Sequence, residues 1–389
     1  MRKKIYLLTP GPTPIIEDVL LEMARPILHH RTPQFSAIIE EVKKGLQYLF
    51  QTKNDVLILN ASGTGAMEGS VSNLFSSGDS VIVINGGKFG ERWTEICRSY
   101  GLNVKEISVE WGKAVDPSIV RDILKRDKGI KGVFVQASET STTVTHPVKE
   151  LAEIVRDIDD TILVVDGISA VGVFDLPMDK WGIDVLVSGA QKGLMLPPGL
   201  SFVGLSDKGW RFSEDADLPR YYFDFRKERD NLRANTTAYT PAISLIVGLR
   251  KVLQDIREEG IETIFARHER LAMATRAGIV ALGLRLLAPD SPSNGVTGFF
   301  LPDGVDGGRF ARFLRDDLGI IMAGGQGHLK GKILRIAHMG YIGIFDIIVA
   351  ISGLEMALKR FGYNVEFGKG IAAVQEILFM EMSDEGTGK

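Results

Sequence analysis

The sequence predicts an α/β protein, with a mostly parallel seven-stranded sheet in a large unit followed by a smaller α/β C-terminal unit. Three observations predict it. Short β-rich runs alternate with stretches of helical period between Val56 and Leu205. Beyond Pro241 the pattern changes to long helical stretches with only brief strand candidates after them. At 389 residues the chain also exceeds the length at which one hydrophobic core keeps growing, so two units are expected.

In chain order the strand candidates are VLIL (56–59), VIVI (81–84), VKEISV (104–109), GVFVQA (132–137), ILVV (162–165), DVLVS (184–188) and SFVGL (201–205). Between them, PSIVRDILKR (117–126) and VKELAEIVRDI (148–158) repeat their apolar residues at helical spacing. Such alternation gives a sheet with helices against it, and ligands bind beyond the carboxyl ends of its strands. PAISLIVGLRKVLQDIREEG (241–260) and IETIFARHERLAMATRAGIVALG (261–283) predict two long helices; GVTGFFLP and KILRIAHMG predict short strands. The change of unit falls near Gly260. Residues 16–259 then form the large unit, residues 1–15 fold back onto 260–380, and the polar tail 381–389 frays.

Composition narrows the partners. Hydrophobic residues make up 44% and charged residues 24%, ordinary for a soluble globular protein, and the formal net charge is -3. Lys and Arg are spread along the chain, so no basic face for nucleic acid or a membrane surface is expected. The single cysteine, Cys97, permits no intramolecular disulfide and no cysteine-built metal site, which suits a reducing interior. MRKKIYLLTPGP has too short an apolar stretch for a signal peptide, and no apolar run approaches about 18 residues. A cytoplasmic location is expected.

The chemistry concentrates at Lys192 and Asp166. Lys192 stands in SGAQKGLMLPPGL, boxed in by Ser188, Gly189, Gly193 and a Pro197-Pro198-Gly199 turn, and Asp166 ends the apolar run of VVDGIS. Taken singly, a lysine between glycines is a common solvated loop residue and such an aspartate a common turn former. Together they suit pyridoxal 5′-phosphate, whose aldehyde condenses with an amine and whose pyridine nitrogen stays protonated opposite a carboxylate. ASGTGAMEGS follows a strand and enters a helix, so Ser62, Gly63, Thr64 and Gly65 can cradle a phosphate on free N–H groups. A dinucleotide fingerprint is absent there, because Glu68 fills the last glycine's place, which counts against a dinucleotide-binding oxidoreductase. NGGKFGERW offers Phe89 as an aromatic cover for a pyridine ring, with Trp93 as a core residue behind it. The hydroxyl-rich SETSTTVTHP offers Thr140 at a strand end. In KGKILRIAHMG, Arg335 interrupts an apolar run, where its guanidinium fork could clamp a substrate carboxylate or join a buried ion pair.

With these residues in place, the chain resembles the class V, fold-type I pyridoxal-phosphate aminotransferases, nearest to the alanine–glyoxylate and serine–glyoxylate or serine–pyruvate group. The likeness runs through LLTPGPTP, GLQYLFQTKN, SGTGAMEG, NGGKFGERW, SETSTTVTHP, VVDGISAVG, GIDVLVSGAQKGLMLPPG and GGQGHLKGKILRIAHMG. The resemblance implies that Lys192 carries the cofactor, Asp166 partners its ring nitrogen and Phe89 stacks on it, in a position where some members have tryptophan. It places Ser62, Gly63 and Thr64 with Gln191 at the phosphate, Thr140 near the ring, Ile168 beneath it, Arg335 on the substrate carboxylate and Gly11 in a loop over the substrate. It also implies a homodimer with shared sites, in which Tyr239 or Thr240 of NTTAYTP reaches the neighbour's phosphate. The expected activity is ping-pong transfer of the amino group of alanine or serine to glyoxylate or pyruvate. Other readings stay open: a noncatalytic hydrogenase-associated subunit, or a transaminase for an aminophosphonate or ureidoglycine. A cysteine desulfurase would need a nucleophilic loop cysteine, whereas Cys97 sits in a helical pattern.

Overall fold

The computed structural model describes residues 3–386. All seven strand candidates form, and they form one sheet: β1 (Val56–Leu59), β2 (Ser80–Asn85), β3 (Asn103–Ser108), β4 (Ile130–Gln136), β5 (Ile162–Asp166), β6 (Val185–Gly189) and β7 (Ser201–Leu205). The spatial order is β1-β7-β6-β5-β4-β2-β3, and only β7 is reversed, running antiparallel to both β1 and β6. The carboxyl ends of the other six strands therefore share one edge. Every residue of β5, β6 and β7 is buried, as expected for apolar strands covered on both faces. The edge strand β3 is mostly exposed and carries Lys105 and Glu106, charges that discourage pairing with another chain.

Local chemistry sets the helix ends. In α1 (Pro33–Phe50) the Thr32 hydroxyl accepts the Phe35 N–H, proline opens the first turn, and Gln51 closes the helix in a left-handed conformation. Helices α2 (Gly63–Leu74) and α3 (Lys88–Ser99) leave the carboxyl edge directly after β1 and β2. The two long helices are α4 (Ile243–Glu259) and α5 (Ile261–Ala281), separated by Gly260 at φ 83°, a conformation that side chains disfavour.

One hydrophobic cluster gathers residues from Val19 to Ile264; a second joins Leu8 to residues from Leu271 to Leu378. Over the second lies a three-stranded antiparallel sheet, β8 (Val296–Phe300), β9 (Ala323–Gly324) and β10 (Ile333–Ala337), in the order β8-β10-β9. Helices α5, α6 (Ile344–Arg360) and α7 (Lys369–Gly386) pack together beside it. The N-terminal Tyr6–Leu7 pairs in parallel with Ile320–Ile321, and the Leu8 carbonyl accepts the Ala337 N–H at 2.9 Å. That pairing leads residues 10–13 back across the sheet's carboxyl edge, where Thr13 donates to the Lys192 carbonyl at 2.9 Å. Helix α7 continues to Gly386, into the stretch expected to fray, and 387–389 lie outside the described residues. Among the described residues no helix is long and apolar enough to cross a membrane.

Candidate active site

Asp166 is the last residue of β5, and Lys192 follows β6 on the neighbouring strand's loop. The Lys192 amine is enclosed beneath the N-terminal segment: Nζ donates to the Pro10 carbonyl at 2.5 Å. A Cβ on Gly11, whose φ is +136°, would lie 2.3 Å from that Nζ. Burial brings the Lys192 pKa down to about 8, and the nearby Arg335 and Arg92 cations push the same way while the Asp166 carboxylate opposes them. Burial likewise lifts Asp166 to about 6, against the Ile168 N–H at 3.0 Å, the Trp93 indole, Arg92 and Lys192. Burial holds both the amine and the carboxylate nearer neutrality than in water, and each favours the charge of the other.

Beside them is a cradle. Ser62 precedes α2 without a capping side-chain bond, so the first N–H groups of the helix face the carboxyl edge with no intrahelical acceptor. A Cβ on Gly63 would strike Ile168 Cδ1 at 2.4 Å, and one on Gly189 would meet Gln191 Oε1 at 3.2 Å, Ile168 Cγ2 at 3.5 Å and the Gly63 nitrogen at 3.6 Å. Glycine at both positions keeps Gly63, Ile168 and Gln191 in close approach. The buried Gln191 Oε1 has no hydrogen-bond partner among the described residues. The Thr64 hydroxyl accepts from Arg92 at 3.2 Å, and the Arg92 guanidinium lies 5.0 Å from the Phe89 ring centre. An amine, a carboxylate, free helix N–H groups, a guanidinium and an aromatic face converge here, and this donor set fits pyridoxal phosphate.

Phe89 is fixed from across the sheet edge. Glu139, wholly buried, accepts from the Phe89 and Gly90 N–H groups at 3.1 and 3.0 Å through one oxygen. Its other oxygen takes the N–H and hydroxyl of Ser141. Burial pushes Glu139 up to about 7 despite these bonds, with Asp166 adding to the rise. Arg335, on β10, donates through NH1 to the Thr140 carbonyl at 2.8 Å and through Nε and NH2 to the Gly324 carbonyl at 3.2 and 2.8 Å. Burial lowers its pKa to about 10, and Glu139 counteracts this. One N–H on each terminal nitrogen stays available for a carboxylate. Thr140 contributes its carbonyl to Arg335, while its hydroxyl pairs with Ser169.

Tyr239 and Thr240 contact the 221–222 segment and Asn60, with no hydrogen bond or ring contact to Lys192 or Asp166 among the described residues. The Tyr239 hydroxyl donates to the Tyr221 carbonyl and its ring stacks on Tyr222, while the Thr240 carbonyl accepts from Asn60. A separate cavity of 540 Å³ between Arg285, Phe300, Lys332 and Tyr363 contains none of the site residues.

A match to the family Aminotransferase class-V covers residues 5–339. The chain belongs to this family. Among curated class-V relatives, the small subunit of the soluble hydrogenase of Synechococcus sp. is 42% identical, over 97% of this chain and 99% of that protein. The serine–glyoxylate aminotransferase of Hyphomicrobium methylovorum is 36% identical, over 95% and 94%. Among solved structures, ureidoglycine–glyoxylate aminotransferase from Bacillus subtilis superposes with a TM-score of 0.93 at 31% identity, covering 97% of this chain and 99% of that one. The class-V aminotransferase fold typically binds pyridoxal phosphate.

The sequence assigns no role to Arg92, Ser169 or Glu139, and it offers Trp93 only as a core residue. Arg92 and Trp93 stand on the same helix as Phe89, one turn on, and Ser169 follows Ile168. Glu139 carried a visible signal, an acid inside a loop otherwise made of hydroxyls at a strand end.

Proposed function

We propose that this chain is a pyridoxal-phosphate-dependent transaminase that moves the amino group of a small amino acid, alanine or serine, to a 2-oxo acid, glyoxylate or pyruvate. One observation carries the reading: Lys192 and Asp166 share a buried field with the Arg335 guanidinium. When bound, the cofactor supplies an aldehyde for the amine and an electron sink for a carbanion. Lys192 would hold it, Asp166 would face its ring nitrogen, Phe89 and Ile168 would cover the two faces, and Ser62, Gly63, Thr64 and Gln191 would receive its phosphate.

The chain's residues then divide the work. Arg335 orients the donor by its carboxylate, using the N–H groups left free by Thr140 and Gly324. Lys192 Nζ, its pKa lowered to about 8, takes the proton from the donor's Cα at neutral to mildly alkaline pH. Asp166 keeps a negative charge opposite the ring nitrogen, helped by the Ile168 N–H and by Arg92. Pro10 and Gly11 cover the amine and limit water. Tyr239 or Thr240 would serve the phosphate of a second copy in a homodimer; the exposure of Tyr221 and Tyr222 beside them supports that.

The Synechococcus relative favours a second reading, a hydrogenase-associated subunit. The assembled amine, carboxylate and guanidinium favour catalysis. The test is to incubate purified protein with alanine, serine, aspartate, ureidoglycine or an aminophosphonate against glyoxylate and pyruvate and to quantify the new amino acid. Turnover greatest with alanine or serine supports the proposal, and no turnover with any pair sinks it.

A further inference from the structure

Three buried polar side chains meet at the sheet's carboxyl edge, and the mechanism above uses only one of them. In the parallel pairing of β4 with β5, Phe134 sits opposite Val164 and Gln136 opposite Asp166. Residues two apart on a strand share a face, so Phe134, Gln136 and Asp166 project to the same side of the sheet. Trp93, on α3, packs against Phe134 on that side, with ring centres 4.9 Å apart. Trp93 and Gln136 are fully buried and Asp166 is 4% exposed.

The Trp93 indole nitrogen and both polar atoms of the Gln136 amide lack hydrogen-bond partners among the described residues. Buried donors of this kind are uncommon and costly. The Trp93 indole favours the charged form of the Asp166 carboxylate, although its N–H forms no hydrogen bond among the described residues. Asp166 also faces the Ile168 N–H, the Arg92 and Lys192 cations and the buried Glu139 carboxyl. Burial of the carboxylate is the strongest influence on it and works toward neutrality. The Trp93 indole answers that tendency, and Gln136, opposite Asp166 in the sheet register, brings a second unpaired donor to the same face.

We propose that Trp93 and Gln136 are positioning residues: two buried donors on the Asp166 face of the sheet that keep its carboxylate charged and aimed at the ring nitrogen. The proposal rests on the reading that Asp166 opposes that nitrogen. A tryptophan serving only as core would need just its ring, and a side chain filling space between β4 and α3 would be apolar. Neither the indole N–H nor the amide has a packing role.

The test uses the full chain stripped of cofactor and calorimetric binding of two ligands: pyridoxal 5′-phosphate, and its analogue with carbon in place of the ring nitrogen. Trp93→Phe keeps an aromatic ring and removes the N–H. It should bind pyridoxal 5′-phosphate about ten- to a hundredfold more weakly than wild type, the range for a hydrogen bond to a charged group, and bind the nitrogen-free analogue as wild type does. Gln136→Met should show the same pattern, and it carries the test should Trp93→Phe not fold. An equal loss for both ligands, or none for either, overturns the proposal. Asp166→Asn separates the two levels: if it fails to discriminate the ligands relative to wild type, the underlying assignment of Asp166 has failed instead.

Discussion

Lys192→Met should make the cofactor-free protein more stable. The amine sits near 8 against an ordinary 10.5, a gap of about 2.5 units, and each unit corresponds to about 1.36 kcal/mol. Holding the amine in the site therefore costs about 3 kcal/mol of folding free energy below about pH 8, where both folded and unfolded chains are protonated. The folded pKa lies below the unfolded one, so the unfolded chain binds more protons between about pH 8 and 10.5. The cost is fully present below that window and fades as pH rises through it. Methionine keeps most of the stem's packing without the charge. One loss reduces the gain, since the Pro10 carbonyl loses its donor; the Asp166 attraction is already contained in the value of about 8. A net gain of about 2 kcal/mol at pH 7 is the balance. For 389 residues the unfolding entropy is about 0.8 kcal/mol/K, so Tm should rise by about 2–3 °C at pH 7 and by almost nothing at pH 10.5. Calorimetry of stripped wild type and variant at both pH values measures this. A variant Tm at or below wild type at pH 7, or a gain that does not shrink at high pH, refutes the reasoning.

Gly11→Ala should disturb the site more than the fold. The new Cβ would fall 2.3 Å from Lys192 Nζ at a φ of +136°, a strain of about 1–3 kcal/mol that the flexible lysine end or the loop absorbs by moving; cofactor affinity should drop with only a small change in Tm, and unchanged affinity would contradict the contact. Arg335→Lys removes the planar fork held by Thr140 and Gly324, so kcat/KM for alanine should fall about 100-fold, mainly through KM. Equal kinetics would show that the carboxylate binds elsewhere. Cys97 is buried on α3 and its thiol is pushed far above the ordinary range, so iodoacetamide should leave the native protein unlabelled and active. Inactivation with labelling at Cys97 would reopen the desulfurase reading.

The sheet was legible because its strands are nearly continuous apolar runs, and burial on both faces demands such runs. Asp166 stands out because it ends an apolar run at a strand's carboxyl end, and Lys192 because glycines and a Pro-Pro-Gly turn enclose it; it is their pairing, more than either alone, that points to a cofactor. Arg335 stands out as Asp166 does, against an apolar run, inside β10. Glu139 did not, because its meaning comes from the Phe89 and Gly90 N–H groups, about 50 residues away and brought close only by the β2–β4 pairing. Trp93 was expected in the core and is there; the direction of its N–H depends on the packing angle of α3 on Phe134, which no local pattern encodes. Thr140 was singled out for its hydroxyl, yet its carbonyl makes the contact with Arg335, a backbone role invisible in residue identity. Tyr239 and Thr240 are placed at a neighbouring copy's site by the family resemblance alone, and within this chain they bond Tyr221 and Asn60.

Every proposed role in the site depends on the Lys192 amine carrying the cofactor. Borohydride reduction of the purified protein after incubation with pyridoxal 5′-phosphate, followed by peptide mass mapping, tests it most directly. One stable phosphopyridoxyl label per chain is expected, on Lys192, and none in Lys192→Met. A label confined to other lysines, or no label on wild type, would contradict it.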